Sequence, residues 1–349
     1  MRLGVNLGYV VGDDIGELVG LAREADRLGY AVAWVAEAYG SDAPTVLAYV
    51  AALTERIDIG AGVMQMPART PAMTAMTAAT LDLLSGGRFR LGLGVSGPQV
   101  SEGWHGVPFD RPLARTREYV DIVTLALQRG PVQYDGDFFT LPLPDGPGKP
   151  IRLTVHPARS HIPLYLAAVG PRNLELAGEI ADGWLAVFFS PRFAADSRAS
   201  IASGRQRAGT PEHPFDVAAT VPVCIGDDVE ACADAIRGYA ALYIGGMGSR
   251  DQNFYNALAC RMGFEADAKR VQDLFLDRRH REAAAAVPYD FIDQTSLIGP
   301  PARVADRLRE FADAGVTTLN VSPFGVDAET RTRTLKQVSA ALDVAGLAD

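Results

Sequence analysis

Cysteine is scarce. The chain carries three, Cys224, Cys232 and Cys260, among 349 residues, and no two stand in a C-x-x-C spacing. That argues against a disulfide framework and a cysteine zinc site, and it fits a reducing, cytoplasmic setting. Histidine is sparse as well. His105, His156, His161, His213 and His280 are scattered, with no H-x-x-x-H or H-E-x-x-H, so no metal site is expected. Neither a G-x-S-x-G elbow nor a Walker loop is present, which removes the serine-hydrolase and P-loop classes. Positive charge is in deficit: 33 Lys and Arg face 42 Asp and Glu, for a net charge of −9. Non-specific nucleic-acid binding needs the opposite balance. No apolar run approaches the roughly 20 residues of a membrane span. The opening MRLGVNLGYVVGDD is broken by glycines and by Asp13-Asp14, too early for a signal peptide.

What is abundant is apolar sequence in short runs. Hydrophobic residues make up 48% and charged residues 21%, the balance of a soluble globular protein with a large core. Near-continuous Val, Ile, Leu and Ala runs alternate with helical periodicity. The strands expected are Arg2–Leu7, Ala31–Ala36, Ile57–Gly62, Arg88–Gly94, Ile162–Gly170, Gly183–Phe189, Phe215–Cys224 and Thr317–Val321. In the first helical pattern, from Asp14, Ile15, Leu18, Leu21, Ala22, Ala25 and Leu28 share one face. Further helices are expected at Ala43–Thr54, Pro71–Leu84, Arg111–Gln128, Val229–Leu242 and Pro301–Ala314. Strands of this composition belong to a parallel sheet covered by helices. Eight such units predict an α/β protein, a single (β/α)8 TIM barrel over residues 1–349. An open doubly wound sheet is the alternative, but the first unit lacks a dinucleotide fingerprint. Two excursions interrupt the alternation, at about 130–161 after the fourth helix and 243–295 after the seventh strand. In the first, Asp135-Gly136 reads as a hairpin turn.

In a TIM barrel the chemistry sits at the C-terminal ends of the strands. Asn6 and Tyr39 stand at the first two such ends. Glu37, alone at a strand end, serves as a base, a substrate anchor or half of an ion pair. Gln65, Arg69 and Thr70 are the polar candidates beyond the third strand, in a segment whose Met73 and Met76 read as core or interface. LGLGVSGPQVSEGWHG (Leu91–Gly106) offers backbone donors to a flat ligand, or small residues for close strand packing. It precedes an irregular loop rather than an immediate helix. At AVGPRN, Gly170 permits close backbone approach and Pro171 suits a first helical turn. The N–H groups after it, with Arg172 and Asn173, make an anion grip or simply a helix start with a solvated arginine. YIGGMGSRDQNFY places Tyr243, Asn253 and Tyr255 on a lid facing substrate, or on a plain surface helix.

Taken together, these segments resemble the bacterial luciferase-like flavin and deazaflavin superfamily. The carriers are GVMQMPARTPAMTAMTAATLDLLSGGRFRLGLGVSGPQVSEGWHGVPFDRPLARTREYV, GPRNLELAGEIADGW and AGVTTLNV. Their order and spacing look like the actinobacterial branch that uses the deazaflavin coenzyme F420, which includes proteins similar to methylenetetrahydromethanopterin reductase. The resemblance implies a cofactor across the barrel mouth, held by Gly62, Val63, Met64, Gln65, Val95, Ser96, Gly97, Ser101, Ala168, Val169, Gly170, Pro171, Arg172 and Asn173. The loop at Gly170–Asn173 matches the phosphate grip. Gly62-Val63 matches a third-strand bulge that often carries a non-prolyl cis peptide. The histidine that follows the second-strand acid in luciferases is absent, since Ala38 and Tyr39 follow Glu37. The glutamate that sugar-phosphate dehydrogenases carry after the fourth-strand glycines is absent too. The resemblance therefore implies hydride transfer between the deazaflavin and a small organic substrate, with Glu37 and His105 as candidates for substrate polarisation or proton transfer. The alternatives are an FMN-dependent monooxygenase and a non-catalytic deazaflavin-binding protein. A homodimer or higher homo-oligomer is expected.

Overall fold

The computed structural model describes residues 1–10 and 15–348, so the expected helix start at Asp14 lies outside the described residues. Eight parallel strands close into a barrel: β1 (Arg2–Gly8), β2 (Val32–Val35), β3 (Asp58–Ala61), β4 (Phe89–Gly94), β5 (Leu164–Ala167), β6 (Gly183–Val187), β7 (Asp216–Ile225) and β8 (Thr318–Pro323). β1 pairs with both β2 and β8, so that Val5 lies opposite Ala33 on one side and Val321 on the other. β6 pairs with β7 across the last seam. The α/β barrel expected from the strand composition is the fold observed.

The barrel interior is filled, not hollow. Val32, Trp34, Tyr165, Leu185 and Ala218 pack there. The Trp34 and Tyr165 rings meet edge to face at 5.2 Å, and the indole N–H of Trp34 donates to Asn320 Oδ1 at 2.9 Å. Gly60 makes room for that indole, since a Cβ on it would stand 2.3 Å from the ring. Beneath lies a paired charge cluster. Arg90 reaches Asp58 at 2.8 Å and Asp216 at 3.3 Å, and the Tyr165 hydroxyl donates to Asp216 at 2.8 Å. Burial and the Asp216 charge push the Tyr165 phenol well above its ordinary range. Charges this deep cost several kcal/mol each unless paired, and these are paired.

The first excursion contains a two-stranded ribbon, Tyr134–Asp135 against Thr140–Leu141. The Glu118 carboxylate accepts from the N–H groups of Asp137, Phe138 and Phe139, which fixes the reversal expected at Asp135-Gly136. In the second, helices Phe254–Arg261, Glu265–Leu276, His280–Ala285 and Tyr289–Thr295 build a separate apolar cluster. Helix Val229–Ala241 belongs to that cluster through Cys232, Ala233, Ile236 and Ala240. The helix that covers the barrel after β7 is instead Pro301–Asp313. Its Val304, Leu308 and Phe311, at i, i+4 and i+7, are fully buried in the main core. Burying a side chain such as Leu308 contributes about 1.5–3 kcal/mol.

Candidate active site

The helices that begin at the mouth differ in how they start. Asp42, Thr70, Asp228 and Asp327 cap theirs with side-chain oxygens. Helix Pro171–Ile180, after β5, starts on Gly170 without a side-chain cap. So does the short helix Pro98–Gly103 on Gly97, which directly follows β4 where an irregular loop was expected. The first-turn N–H groups of helix Pro171–Ile180 are left partly open, and an N-terminus of this kind favours an anion.

The glycines of β4 serve the bulge beyond β3. A Cβ on Gly92 would lie 1.9 Å from the Ala61 carbonyl oxygen, and one on Gly94 would lie 2.6 Å from Val63 Cγ2. Close packing is therefore their role. The Gly62-Val63 peptide is cis. Val63 packs against the interior layer of Trp34 and Tyr165 and is partly exposed. Met64 turns the other way and is fully buried in the core between sheet and helices. Of Met64, expected at the cofactor, only the backbone is therefore placed to meet a ligand at the mouth.

Glu37 is buried and saturated. Arg69 grips it with both terminal nitrogens, at 2.6 and 2.8 Å. The Gln65 N–H donates to Glu37 Oε2 at 2.9 Å and the Ala43 N–H to Oε1 at 3.2 Å. With both oxygens committed, the ion-pair role fits this carboxylate and that of a proton carrier does not. Burial opposes the Arg69 charge, but Glu37 outweighs it and holds the guanidinium above its ordinary pKa. The Gln65 side chain then links two loops: its amide nitrogen donates to Ser96 Oγ at 3.1 Å and its oxygen lies 3.0 Å from His105 Nε2. Glu37, Gln65, Ser96 and His105, far apart in the chain, thus form one connected cluster. Ser96 holds a left-handed backbone, φ 62°, uncommon for a residue with a side chain.

Other expected site residues are spent elsewhere. Ser101 is buried, and its hydroxyl donates to the Val107 carbonyl at 2.7 Å, closing the following loop. The cleft it lines with Val95, Met66 and Phe109 measures about 30 Å³. Ala168 is buried, and its carbonyl accepts from the Trp184 indole at 2.8 Å. Asn253 is buried as a helix cap: it accepts from Tyr255 and Asn256 N–H groups and donates to the Tyr243 and Ile244 carbonyls. It has no group left for substrate. Arg172 lines an outer groove of about 180 Å³ with Leu113, Arg117, Glu179 and Arg207. Gly170 itself faces open space.

Asn6 keeps its place at the mouth, where its amide donates to Ser322 Oγ at 3.4 Å and joins β1 to β8. Tyr39 is 60% exposed on the rim. Tyr243 and Tyr255 meet edge to face at 4.8 Å. One cation was not anticipated. Arg261, at the end of insertion helix Phe254–Arg261, donates to the Val169 carbonyl at 2.9 Å. It reaches the Gly170 turn with no carboxylate partner among the described residues, and burial lowers its pKa. A charge on an amphipathic helix reads as solvated, so only the folded geometry exposes this contact. Among the described residues no three His, Cys, Asp or Glu side chains cluster as a metal site. No described helix is long and apolar enough to cross a membrane.

A protein-family model described as luciferase-like monooxygenase matches residues 1–318. The chain is 42% identical over 329 residues to a Mycobacterium tuberculosis protein named, provisionally, a coenzyme F420-dependent oxidoreductase. That alignment covers 92% of this chain and 95% of the relative. It is 30% identical over 326 residues to the 5,10-methylenetetrahydromethanopterin reductase of Methanopyrus kandleri, covering 88% and 89%. The solved coenzyme F420-dependent tetrahydromethanopterin reductase of M. kandleri superposes with a TM-score of 0.82 at 27% identity, over 97% of this chain and 98% of that one. The barrel, its mouth and these matches place the chain in the luciferase-like family of oxidoreductases.

Proposed function

We propose that the protein is a coenzyme F420-dependent oxidoreductase that exchanges a hydride between the deazaflavin and a small organic substrate. One observation carries this: the partly apolar surface at Val63 shares the barrel mouth with the uncapped helix start at Gly170–Pro171, where Arg261 is aimed. A flat ring needs the first and a phosphate the second. Val63, Gln65, Val95, Ser96 and Gly97 would face the ring; Gly170, the first-turn N–H groups, Asn173 and Arg261 would hold the phosphate. The bound cofactor supplies the hydride chemistry, and the protein supplies orientation and electrostatics. Gln65 fixes the His105 ring through Nε2, leaving Nδ1 for proton traffic at the mouth. The 42% identity to a relative carrying the F420 name supports this cofactor over FMN. Anaerobic oxidation of reduced F420 by carbonyl acceptors, against oxygen uptake with reduced FMN, tests the assignment. Activity with reduced FMN alone would overturn it.

The same reading includes a homodimer. Helices Ala43–Ala52 and Pro71–Leu84 pack side by side and carry no charged residue on their outward faces. Tyr49, Met73, Met76, Leu83 and Leu84 are exposed there. An apolar stripe of this extent marks an interaction surface, and a second copy, presenting the same stripe, complements it.

A further inference from the structure

Six aromatic side chains from separate segments converge at the C-terminal mouth. Phe188 follows β6 with a left-handed backbone, φ 52°, and Phe324 follows β8. Tyr239 ends helix Val229–Ala241, Tyr243 lies in the π-helical turn Leu242–Gly246, and Tyr255 and Phe291 belong to insertion helices. Phe188 is the hub, 5.6 Å from Tyr239, 5.5 Å from Tyr243, 6.3 Å from Tyr255 and 5.4 Å from Phe291. Tyr239 also meets Tyr243 at 4.7 Å and Phe324 at 5.6 Å. The phenylalanines Phe188 and Phe291 are buried, whereas all three tyrosines keep partial access to solvent.

The hydroxyls distinguish this group from the tyrosines that only pack. Tyr30 donates to the Leu335 carbonyl, Tyr119 to the Arg69 carbonyl, Tyr134 to Asp121 and Tyr165 to Asp216. Deeply placed phenols ordinarily find such partners. Tyr239 and Tyr243 lie ring to ring at 4.7 Å, and among the described residues no hydrogen bond joins the Tyr239, Tyr243 or Tyr255 hydroxyl to an acceptor outside the group. The titratable groups that act on the three are other tyrosines, including Tyr9 and Tyr39; among the described residues no cation or carboxylate does. Burial raises all three phenols above their ordinary range, so they remain protonated donors at neutral pH.

We propose that Tyr239, Tyr243 and Tyr255 form the substrate-oxygen site, and that its ligand is a neutral carbonyl, a ketone or enone, on an apolar body. Aromatic walls suit the body, spare O–H donors suit the oxygen, and the absence of a nearby cation disfavours a carboxylate. This rests on the hydride-transfer function proposed above. The carbonyl carbon accepts the hydride from the reduced cofactor, the π pair moves onto oxygen, and that oxygen takes a proton from a phenol that water re-protonates.

Acetophenone and benzoate, which share a ring and differ in charge, are the probes. Each is titrated into cofactor-free protein by ligand-observed NMR. Wild type is expected to bind acetophenone more tightly than benzoate. The triple variant Tyr239→Phe/Tyr243→Phe/Tyr255→Phe is expected to bind acetophenone about three- to tenfold more weakly, the worth of one net hydrogen bond. Its thermal midpoint should hold or rise, because no protein acceptor is abandoned, while the control Tyr165→Phe should lose stability. Equal acetophenone affinity in wild type and variant, tighter benzoate binding, no binding of either probe, or a fall in the triple variant's midpoint would each overturn the proposal. A deazaflavin titration of the same samples reports separately on the cofactor assignment.

Discussion

Glu37 and Arg69 form a two-pronged ion pair, at 2.6 and 2.8 Å, whose carboxylate also takes the Gln65 N–H. The pair ties the end of β2 to the bulge after β3, so its first effect is on structure. Removing one member of a buried pair costs about 3–5 kcal/mol, because the other charge is stranded. Glu37→Gln should therefore lower the denaturant midpoint and weaken cofactor binding together. Glu37→Gln/Arg69→Met should regain part of the stability. A proton-carrying Glu37 would instead give an intact fold with a reduced kcat, which kinetics and urea unfolding on one sample distinguish.

Gly94 and Gly92 should separate binding from folding. Alanine at Gly94 meets the tip of the Val63 side chain, which can yield at a cost of about 1–3 kcal/mol. A folded protein with weaker cofactor affinity is expected. Alanine at Gly92 meets the Ala61 carbonyl, which is backbone and cannot yield in the same way. Gly92→Ala should fail to accumulate as soluble protein, while circular dichroism and fluorescence titration follow Gly94→Ala.

Arg261 and Arg172 make a matched comparison at the helix start. Arg261→Ala should weaken cofactor binding about tenfold or more, since hydrogen bonds to charged groups are worth about 1.5–3 kcal/mol. Arg172→Ala should change the dissociation constant little, because Arg172 lines the outer groove. The opposite ranking in a binding titration would show that Arg172 swings to the mouth.

Cys224 sets a pH expectation. Burial first, and then the neighbouring Cys232 thiol, push its thiol up to about 12. The native thiol stays protonated through pH 9, where an unfolded cysteine is already ionising. Stability from this group is thus full at neutral pH and lost as pH rises past the unfolded value. Iodoacetamide at pH 8 should label Cys224 slowly in native protein and quickly in urea, as mass spectrometry would read.

The uncharged stripe predicts assembly. Met76→Glu or Leu83→Lys places a charge on the outward face of helix Pro71–Leu84, so light scattering should move from a dimer mass to a monomer mass. A monomeric wild type would remove this expectation.

The barrel was legible because each strand is a short apolar run and the stretches between them carry helical apolar periodicity. The side of a strand was harder to read. Val63 and Met64 are equally apolar neighbours, and only the break between β3 and the Met64–Gln65 pairing with β4 sends one to the mouth and the other to the core. The glycines at 92 and 94 read equally as backbone donors, because close approach to Ala61 and Val63 is a property of two strands at once. Helix Val229–Ala241 has a clear apolar face, but periodicity does not say which core it meets. Arg261 and Tyr239 carry no motif, and their meaning comes from what the insertion brings beside them.

The cofactor assignment is tested most directly by titrating the purified protein with F420 and with FMN and following fluorescence to a dissociation constant for each. The mouth around Val63 and Gly170 predicts a smaller constant for F420, lost in large part in Arg261→Ala. Tighter binding of FMN, or F420 affinity unchanged by Arg261→Ala, would contradict the account.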